Sequence, residues 1–300
     1  MERRIHLVDA FTGEPLTGNA AGVVPDAAGL DERQQQAIAR ELAVSETAFL
    51  TDSDRADRRI RYFTPTTEVD LCGHATIASH AHLFEAGELE AGTHTLETNV
   101  GVLEIEVRSD GAVWMTQDDP RVERVDLDYD EVAGALGIDR AALTDVGADL
   151  PLAVSSTGFP VLVVPVNFLE GLGNAAPDDR EIADLCEDVG AMGLYAFTFD
   201  TLTAEATLHG RMFAPPAGIS EDPVTGTASG AVGAYLREVD AFGESEFPEE
   251  MRFEQGHFLD RPGEVRVRVE ETVRVGGRAV EALSGTLSVP EREDDGIVEP

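Results

Sequence analysis

Apolar and polar positions alternate at 3–10, 46–51, 58–63, 94–98, 102–108 and 112–116, and this two-residue period predicts half-buried strands. A period near 3.6 over 31–43 and 74–86 predicts helices. The second part of the chain carries the same mixture. "PLAVSSTGFPVLVVPV" (151–166), "GLYAFTFD" (193–200) and "AEATLHGRMF" (204–213) predict strands, and "DDREIADLCEDVG" (178–190) an amphipathic helix. "GTASGAVGAYLREV" (226–239) predicts another helix, and "GEVRVRVEETVRVGG" (263–277) and "AVEALSGTLSV" (279–289) closing strands. The charged, proline-containing stretch "QDDPRVERVDLDYD" (117–130) interrupts the pattern, so a domain boundary is expected near 118. The expected halves are 1–118, to which the C-terminal segment 289–300 can be joined, and 119–288. The acidic loop at 240–250 and the tail "EREDDGIVEP" (291–300) are expected to be mobile.

The chain also repeats itself. "RYFTPTTEVDLCGHATIASH" (61–80) is echoed by "RMFAPPAGISEDPVTGTASG" (211–230). Arg61, Phe63 and Pro65 match Arg211, Phe213 and Pro215 at an offset of 150 (61 to 211). After a three-residue slip, Glu68, Gly73, Ala75 and Thr76 match Glu221, Gly226, Ala228 and Ser229 at an offset of 153 (73 to 226). Many short strands, with one long helix after each echoed segment, predict an α+β fold. Each half wraps strands around its own central helix, and duplication implies two pseudo-symmetric halves with a cleft between them.

Composition narrows the partners. Among 300 residues, 58 are acidic and 22 basic, a net charge of −36, and every basic residue is arginine. So much like charge repels itself in dilute buffer and is screened in molar salt, where the Debye length falls to about 3 Å; a halophilic surface is expected. Clustered Lys/Arg is missing, which argues against nucleic acid and anionic membranes as partners. No apolar run is long enough to span a bilayer, and "MERRIHLVDAF" opens on a strand pattern rather than a signal peptide, so a cytoplasmic location is expected. Two cysteines, Cys72 and Cys186, are too few for a disulfide framework, and Cys186 reads as core. His80 and His82 lie six and eight positions from His74, off its helical face, so no metal site is expected.

Chemistry concentrates where the echoes enter their helices, "CGHAT" at 72–76 and "TGTAS" at 225–229. A helix start offers unpaired N–H groups and the positive end of the dipole, and glycine lets an anion approach them. The plain alternative is that Thr76, Thr227 and Ser229 cap helices. Cys72 stands opposite Thr225, and His74 opposite Thr227. A racemase with a thiol on each face of its substrate lacks one of the two here.

Four segments carry a family resemblance: "VDAFTGEPLTGNAAGVV" (8–24), "ELAVSETAFL" (41–50), "RYFTPTTEVDLCGHAT" (61–76) and "EDPVTGTASG" (221–230). In this order they resemble the PhzF-like family of phenazine-biosynthesis isomerases, related to diaminopimelate epimerase and proline racemase. The resemblance implies a diaminopimelate epimerase-like fold, no metal or organic cofactor, and usually a homodimer. It assigns Glu46 as the group that moves a proton between carbons of an amino, hydroxy or aromatic acid, with His74 and Asp222 holding and polarising the substrate. Asn19, Cys72, Gly73, Gly226 and Thr227 are the implied substrate-binding positions. The family commonly has serine where this chain has Thr227, which keeps the hydroxyl and adds a methyl.

Each residue has a dull alternative. Glu46 can be a solvated glutamate, His74 a helix-start residue satisfied by backbone, Asp222 a turn former before Pro223, and the Gly18–Asn19 step a plain turn. The expected function is a cofactor-independent isomerase acting on a small anionic metabolite. Its rivals are a Cys72-dependent epimerase or dehydratase and a metabolite-binding protein without turnover.

Overall fold

The computed structural model describes residues 1–291 apart from 145, 147–149 and 244. The rest of the expected mobile tail, 292–300, lies outside the described residues. The fold is α+β and divides into two compact units. One comprises Met1–Leu16, Ala20–Val113 and the chain from Arg278 onward; the other comprises Thr17–Asn19 and Trp114–Gly277.

The first unit opens with β1 (Glu2–Ala10) and β2 (Asn19–Val24), the latter mostly in this unit. Helix α1 (Glu32–Leu42) starts at a capping box, in which Asp31 accepts from the Gln34 amide and the Gln34 side chain returns to the Asp31 amide. It stops where Ala43 turns left-handed (φ 53°). Strands β3 (Glu46–Thr51), β4 (Arg58–Phe63) and β5 (Glu68–Val69) lead into α2 (Gly73–Glu85), and β6 (Gly92–Thr98) and β7 (Gly101–Val107) follow. Pairing runs parallel for β2/β3, antiparallel for β3/β4 and β4/β5, parallel for β4/β6 and antiparallel for β6/β7.

The second unit carries β8 (Val113–Thr116), β9 (Arg121–Arg124), α3 (Tyr129–Leu136), α4 (Ala141–Thr144), β10 (Ala153–Ser156) and β11 (Val161–Pro165). Helices α5 (Leu169–Gly173) and α6 (Asp179–Val189) precede β12 (Gly193–Thr198), β13 (Leu208–Ala214) and β14 (Ile219–Asp222). Then come α7 (Gly226–Glu238), β15 (Met251–Gln255), β16 (Gly263–Val269) and β17 (Val273–Gly277). The pairing sequence of the first unit recurs: parallel β11/β12, antiparallel β12/β13 and β13/β14, parallel β13/β15, antiparallel β15/β16. The chain then returns as β18 (Ala279–Ser288), antiparallel to β1.

The two helices behind the echo, α2 and α7, each span 13 residues and start at Gly73 and Gly226. Both are rich in Ala, Gly and small hydroxyl residues, so neighbouring strands can close on every face, and residues 75–83 and 228–236 are buried. A Cβ at Gly233 would sit 2.6 Å from Val267 Cγ1, so glycine is what lets β16 approach α7 this closely. By contrast α1 and α6 bury one face only, the latter through Ile182, Leu185 and Cys186. Cys186 is core, as its sequence context predicts, and burial pushes its thiol up to about 11.

Two expectations about organisation change. The unit boundary falls at Val113/Trp114 rather than 118, and the stretch 117–130 contains a strand, β9, paired antiparallel with β10. The segment that rejoins the first unit begins at Arg278 rather than 289, because β18 pairs with β1 from Ala279 to Ser288 with one irregularity.

Candidate active site

Within the first unit, β3 begins at Glu46 just after the left-handed end of α1, and Glu46 pairs with Ala21 across the parallel β2/β3 ladder. From β4 and β5 the chain enters α2 through Cys72, which is extended and makes no side-chain cap hydrogen bond. The entry is pinned from behind. Tyr62 Oη and Thr76 Oγ1 are 2.6 Å apart, and Thr76 Oγ1 donates to the Cys72 carbonyl at 2.7 Å. Burial keeps the Tyr62 phenol protonated, raising its pKa well above the usual value.

His74, in the first turn of α2, is the hub. Its Nε2 lies 3.4 Å from Glu46 Oε2 and 3.3 Å from Ser45 Oγ, while its Nδ1 lies 3.4 Å from Cys72 Sγ. The Glu46 and His74 side chains are 18% and 12% exposed, sheltered yet reachable by a small molecule. In the tautomer with hydrogen on Nε2, that nitrogen faces Ser45 Oγ and the carboxylate, and Nδ1 is free to accept the thiol hydrogen. Gly73 places no Cβ at the helix start beside this set, where the dipole favours a negative charge.

Within the second unit the equivalent helix start is built differently. Asn19 Nδ2 donates to Asp222 Oδ1 at 3.0 Å and to the Val224 carbonyl at 2.9 Å, and the Thr225 hydroxyl donates to Asp222 Oδ2. Gln255 closes the arrangement, accepting the Thr225 amide at 3.2 Å and donating to the Asp222 carbonyl at 2.8 Å. Gly226 is buried at the start of α7, and the half-buried Thr227 accepts at its carbonyl from Thr157 at 3.1 Å. Asn19 is not a plain turn residue. It begins β2, while the Arg261 guanidinium fixes Thr17 and Gly18 through their carbonyls, each at 2.8 Å.

At the offset of 153, Cys72, Gly73 and His74 correspond to Thr225, Gly226 and Thr227, and Asp222 corresponds to Val69. The duplicated scaffold therefore carries a carboxylate–imidazole–thiol set in one unit and a carboxylate–hydroxyl–amide set in the other. Glu68 and Glu221 serve the scaffold: each receives two hydrogen bonds from its own arginine, Arg61 or Arg211. Those arginines lie over Phe63 and Phe213, each 5.0 Å from the ring centroid.

Three polar residues in these sets are missing from the sequence candidates, among them Thr225, which entered only as the counterpart of Cys72. Ser45 adjoins Glu46, and that adjacency is its only signal. Gln255 reaches Thr225 from β15 and leaves no local mark. The expectation of no metal site rested on spacing along one helix, and ligand sets assembled from several elements escape it. Among the described residues, Glu46, Cys72 and His74 offer three ligand atoms within 4.8 Å of one another, as do His6, His82 and Glu281. His80 belongs to neither set: its Nδ1 meets the Thr76 carbonyl at 2.9 Å, and burial lowers its pKa to about 4.

A duplicated α+β chain with acid–base side chains at a buried helix start falls in the isomerase and epimerase-like class of this architecture. The sequence profile described as "Phenazine biosynthesis-like protein" matches residues 8–285, and the chain belongs to that family. It is 37% identical over 290 residues to a Bacillus subtilis protein named "Uncharacterized isomerase YfhB", covering 95% of this chain and 96% of that one. A crystal structure of a Bacillus anthracis phenazine biosynthesis protein of the PhzF family superposes with a TM-score of 0.88 at 34% identity, covering 96% of this chain and all of that one. A hydroxyproline epimerase from Agrobacterium vitis shares the fold, with a TM-score of 0.60 at 13% identity over 95% of this chain and 91% of that one. No described helix is long and apolar enough to cross a membrane.

Proposed function

We propose that this protein is a cofactor-independent isomerase that moves a proton between two carbons of a small carboxylic acid, with Glu46 as the single general acid/base. The carrying observation is the contact between Glu46 Oε2 and His74 Nε2, 3.4 Å, beside an uncapped helix start. The imidazole of His74 lies against the carboxylate and orients it, so it can take a proton from the carbon next to the substrate carboxylate. The electron pair left behind delocalises into the conjugated acid. Glu46, now protonated, returns the proton to another carbon on the same face, and nothing is oxidised or reduced. The N–H groups at Gly73 and His74 suit the substrate carboxylate.

Thr225 at the position equivalent to Cys72 supports a one-base scheme, because a hydroxyl is too weak an acid to act as the second base of a thiol pair. Asp222 is proposed to polarise the substrate, and Asn19, Gly226 and Thr227 to contact it. The family's usual assembly, a homodimer, is proposed for this chain as well.

A second reading has its own observation. Cys72 Sγ lies 3.4 Å from His74 Nδ1, a geometry in which the ring can accept the thiol proton and leave a thiolate base. The deciding experiment follows deuterium uptake from D₂O into members of an amino-acid and aromatic-acid library. Uptake that Glu46→Gln abolishes and Cys72→Ser spares supports the first scheme. The reverse pattern moves the protein to cysteine chemistry. Protection from unfolding by a ligand that never exchanges a proton identifies a binding protein.

A further inference from the structure

We infer that His6, His82 and Glu281 form a second, separate site that binds one divalent cation of borderline softness, of which zinc is the type. The three residues come from β1, α2 and β18 and meet within the first unit. Glu281 Oε2 lies 2.6 Å from His6 Nδ1 and 3.5 Å from His82 Nδ1, and the two imidazole centroids are 4.0 Å apart. Ligands about 2.0–2.2 Å from a tetrahedral zinc lie roughly 3.2–3.6 Å from one another. These atoms, all within 4.8 Å, need only small side-chain movements to reach that arrangement.

Donor chemistry points the same way. Two imidazoles and a carboxylate suit zinc, cobalt or nickel over calcium or magnesium, which prefer oxygen alone. Both histidines are more than nine-tenths buried, whereas the Glu281 side chain is 36% exposed, which leaves a solvent side for a water ligand and for entry. The irregular register between Leu7 and Val8, beside His6 and opposite Glu281 in the β1/β18 ladder, is of the kind that re-aims side chains.

Bound there, a cation ties the returning strand β18 and β1 to α2. His82 lies eight residues along α2 from His74, about 12 Å on the same helix axis, so the tie holds the helix that presents the acid–base set.

Chelator-stripped full-length protein titrated with Zn²⁺ by calorimetry, and with Co²⁺ by absorption, tests this. One cation per chain is expected, with a tetrahedral Co²⁺ spectrum that lacks a thiolate charge-transfer band. Glu281→Gln and His6→Gln should each weaken binding by at least about 100-fold, because they remove ligands rather than outer partners. Cys72→Ser should leave the affinity unchanged. Circular dichroism of the metal-free variants checks folding, and the partly exposed Glu281 carries the test if a histidine variant unfolds. The inference is overturned by absence of saturable binding, by an affinity indifferent to Glu281→Gln, or by a thiolate band that disappears in Cys72→Ser. The last result would place the cation at Glu46, Cys72 and His74 instead.

Discussion

Glu46 and Cys72 converge on the same imidazole: Glu46 Oε2 is 3.4 Å from His74 Nε2, and Cys72 Sγ is 3.4 Å from Nδ1 and 3.9 Å from Nε2. One ring thus serves two potential bases. Conservative substitutions at the two positions separate them.

If Glu46 carries the proton, Glu46→Gln preserves size and hydrogen-bonding reach and removes basicity. Turnover should fall roughly 10²- to 10⁴-fold with substrate affinity little changed, the loss expected of general acid/base catalysis. Cys72→Ser should cost less than about tenfold on the same scale. Mass-spectrometric deuterium uptake in both variants reads the outcome, and near-normal uptake in Glu46→Gln would remove Glu46 from the mechanism.

The repeated Arg–Glu pairs should not be equally costly to break. Arg211 and Glu221 have side chains 7% and 12% exposed, and Arg211 also donates to the Leu172 and Ala175 carbonyls. Arg211→Met leaves a sheltered carboxylate without its cation and should destabilise the protein by roughly 3–5 kcal/mol. Arg61 and Glu68 are each 23% exposed, and water can replace the lost partner, so Arg61→Met should cost about 1 kcal/mol. Urea unfolding of both variants compares them, and equal losses would contradict the argument from burial.

How much of this was legible in the sequence depended on whether a signal was local. Helices α1 and α6 announce themselves through Asp31 and Asp178 at their N-caps and through one-sided apolar faces. Helix α2 shows a helical period over 74–86 although residues 75–83 are all buried, and the repetition matches α7 to it. Strand β2 was hidden because "NAAGVV" begins with small residues that carry no alternation, and β9 because "RVER" looks like a solvated linker. Glu46, Cys72 and His74 are separated by short stretches within one repeat, so motif reading reached them. Gln255 depends on a strand that arrives 30 residues after Thr225, and Glu281 on a crossover near the end of the chain. Such meetings are set by topology.

Acid should expose Glu254. Burial by itself would raise its pKa, but His209, the Leu202 and Thr203 amides and the Thr203 hydroxyl all donate to it and pull it down to about 2. A carboxyl depressed from 4.5 stabilises the fold above its unfolded pKa, and that contribution is lost as pH falls from about 4.5 towards 2. The full effect is on the order of 3 kcal/mol. Stability measured by urea between neutrality and pH 3 should decline more steeply in the wild type than in Glu254→Gln, and parallel curves would count against it.

Salt should stabilise the protein, and the comparison of two opposing terms decides the sign. Salt screens the surface ion pairs, such as Arg58–Glu88 at 3.4 Å and Arg140–Asp130 at 2.8 Å, which favours unfolding. Each exposed pair is worth only about 0–1 kcal/mol, so that loss is small. Against it stands the repulsion among acidic residues that outnumber arginines 58 to 22, with no lysine to offset them. Repulsion grows with the square of the net charge and is felt across the whole compact state, while each pair acts alone. Raising salt from dilute buffer to roughly 1 M shortens the Debye length to about 3 Å and removes most of it. The melting temperature should therefore climb across a potassium chloride series by at least several degrees, the shift that roughly 1–2 kcal/mol produces in a chain of this size. A flat or falling series would mean that close carboxylate–arginine contacts, rather than net charge, govern the stability of this acidic surface.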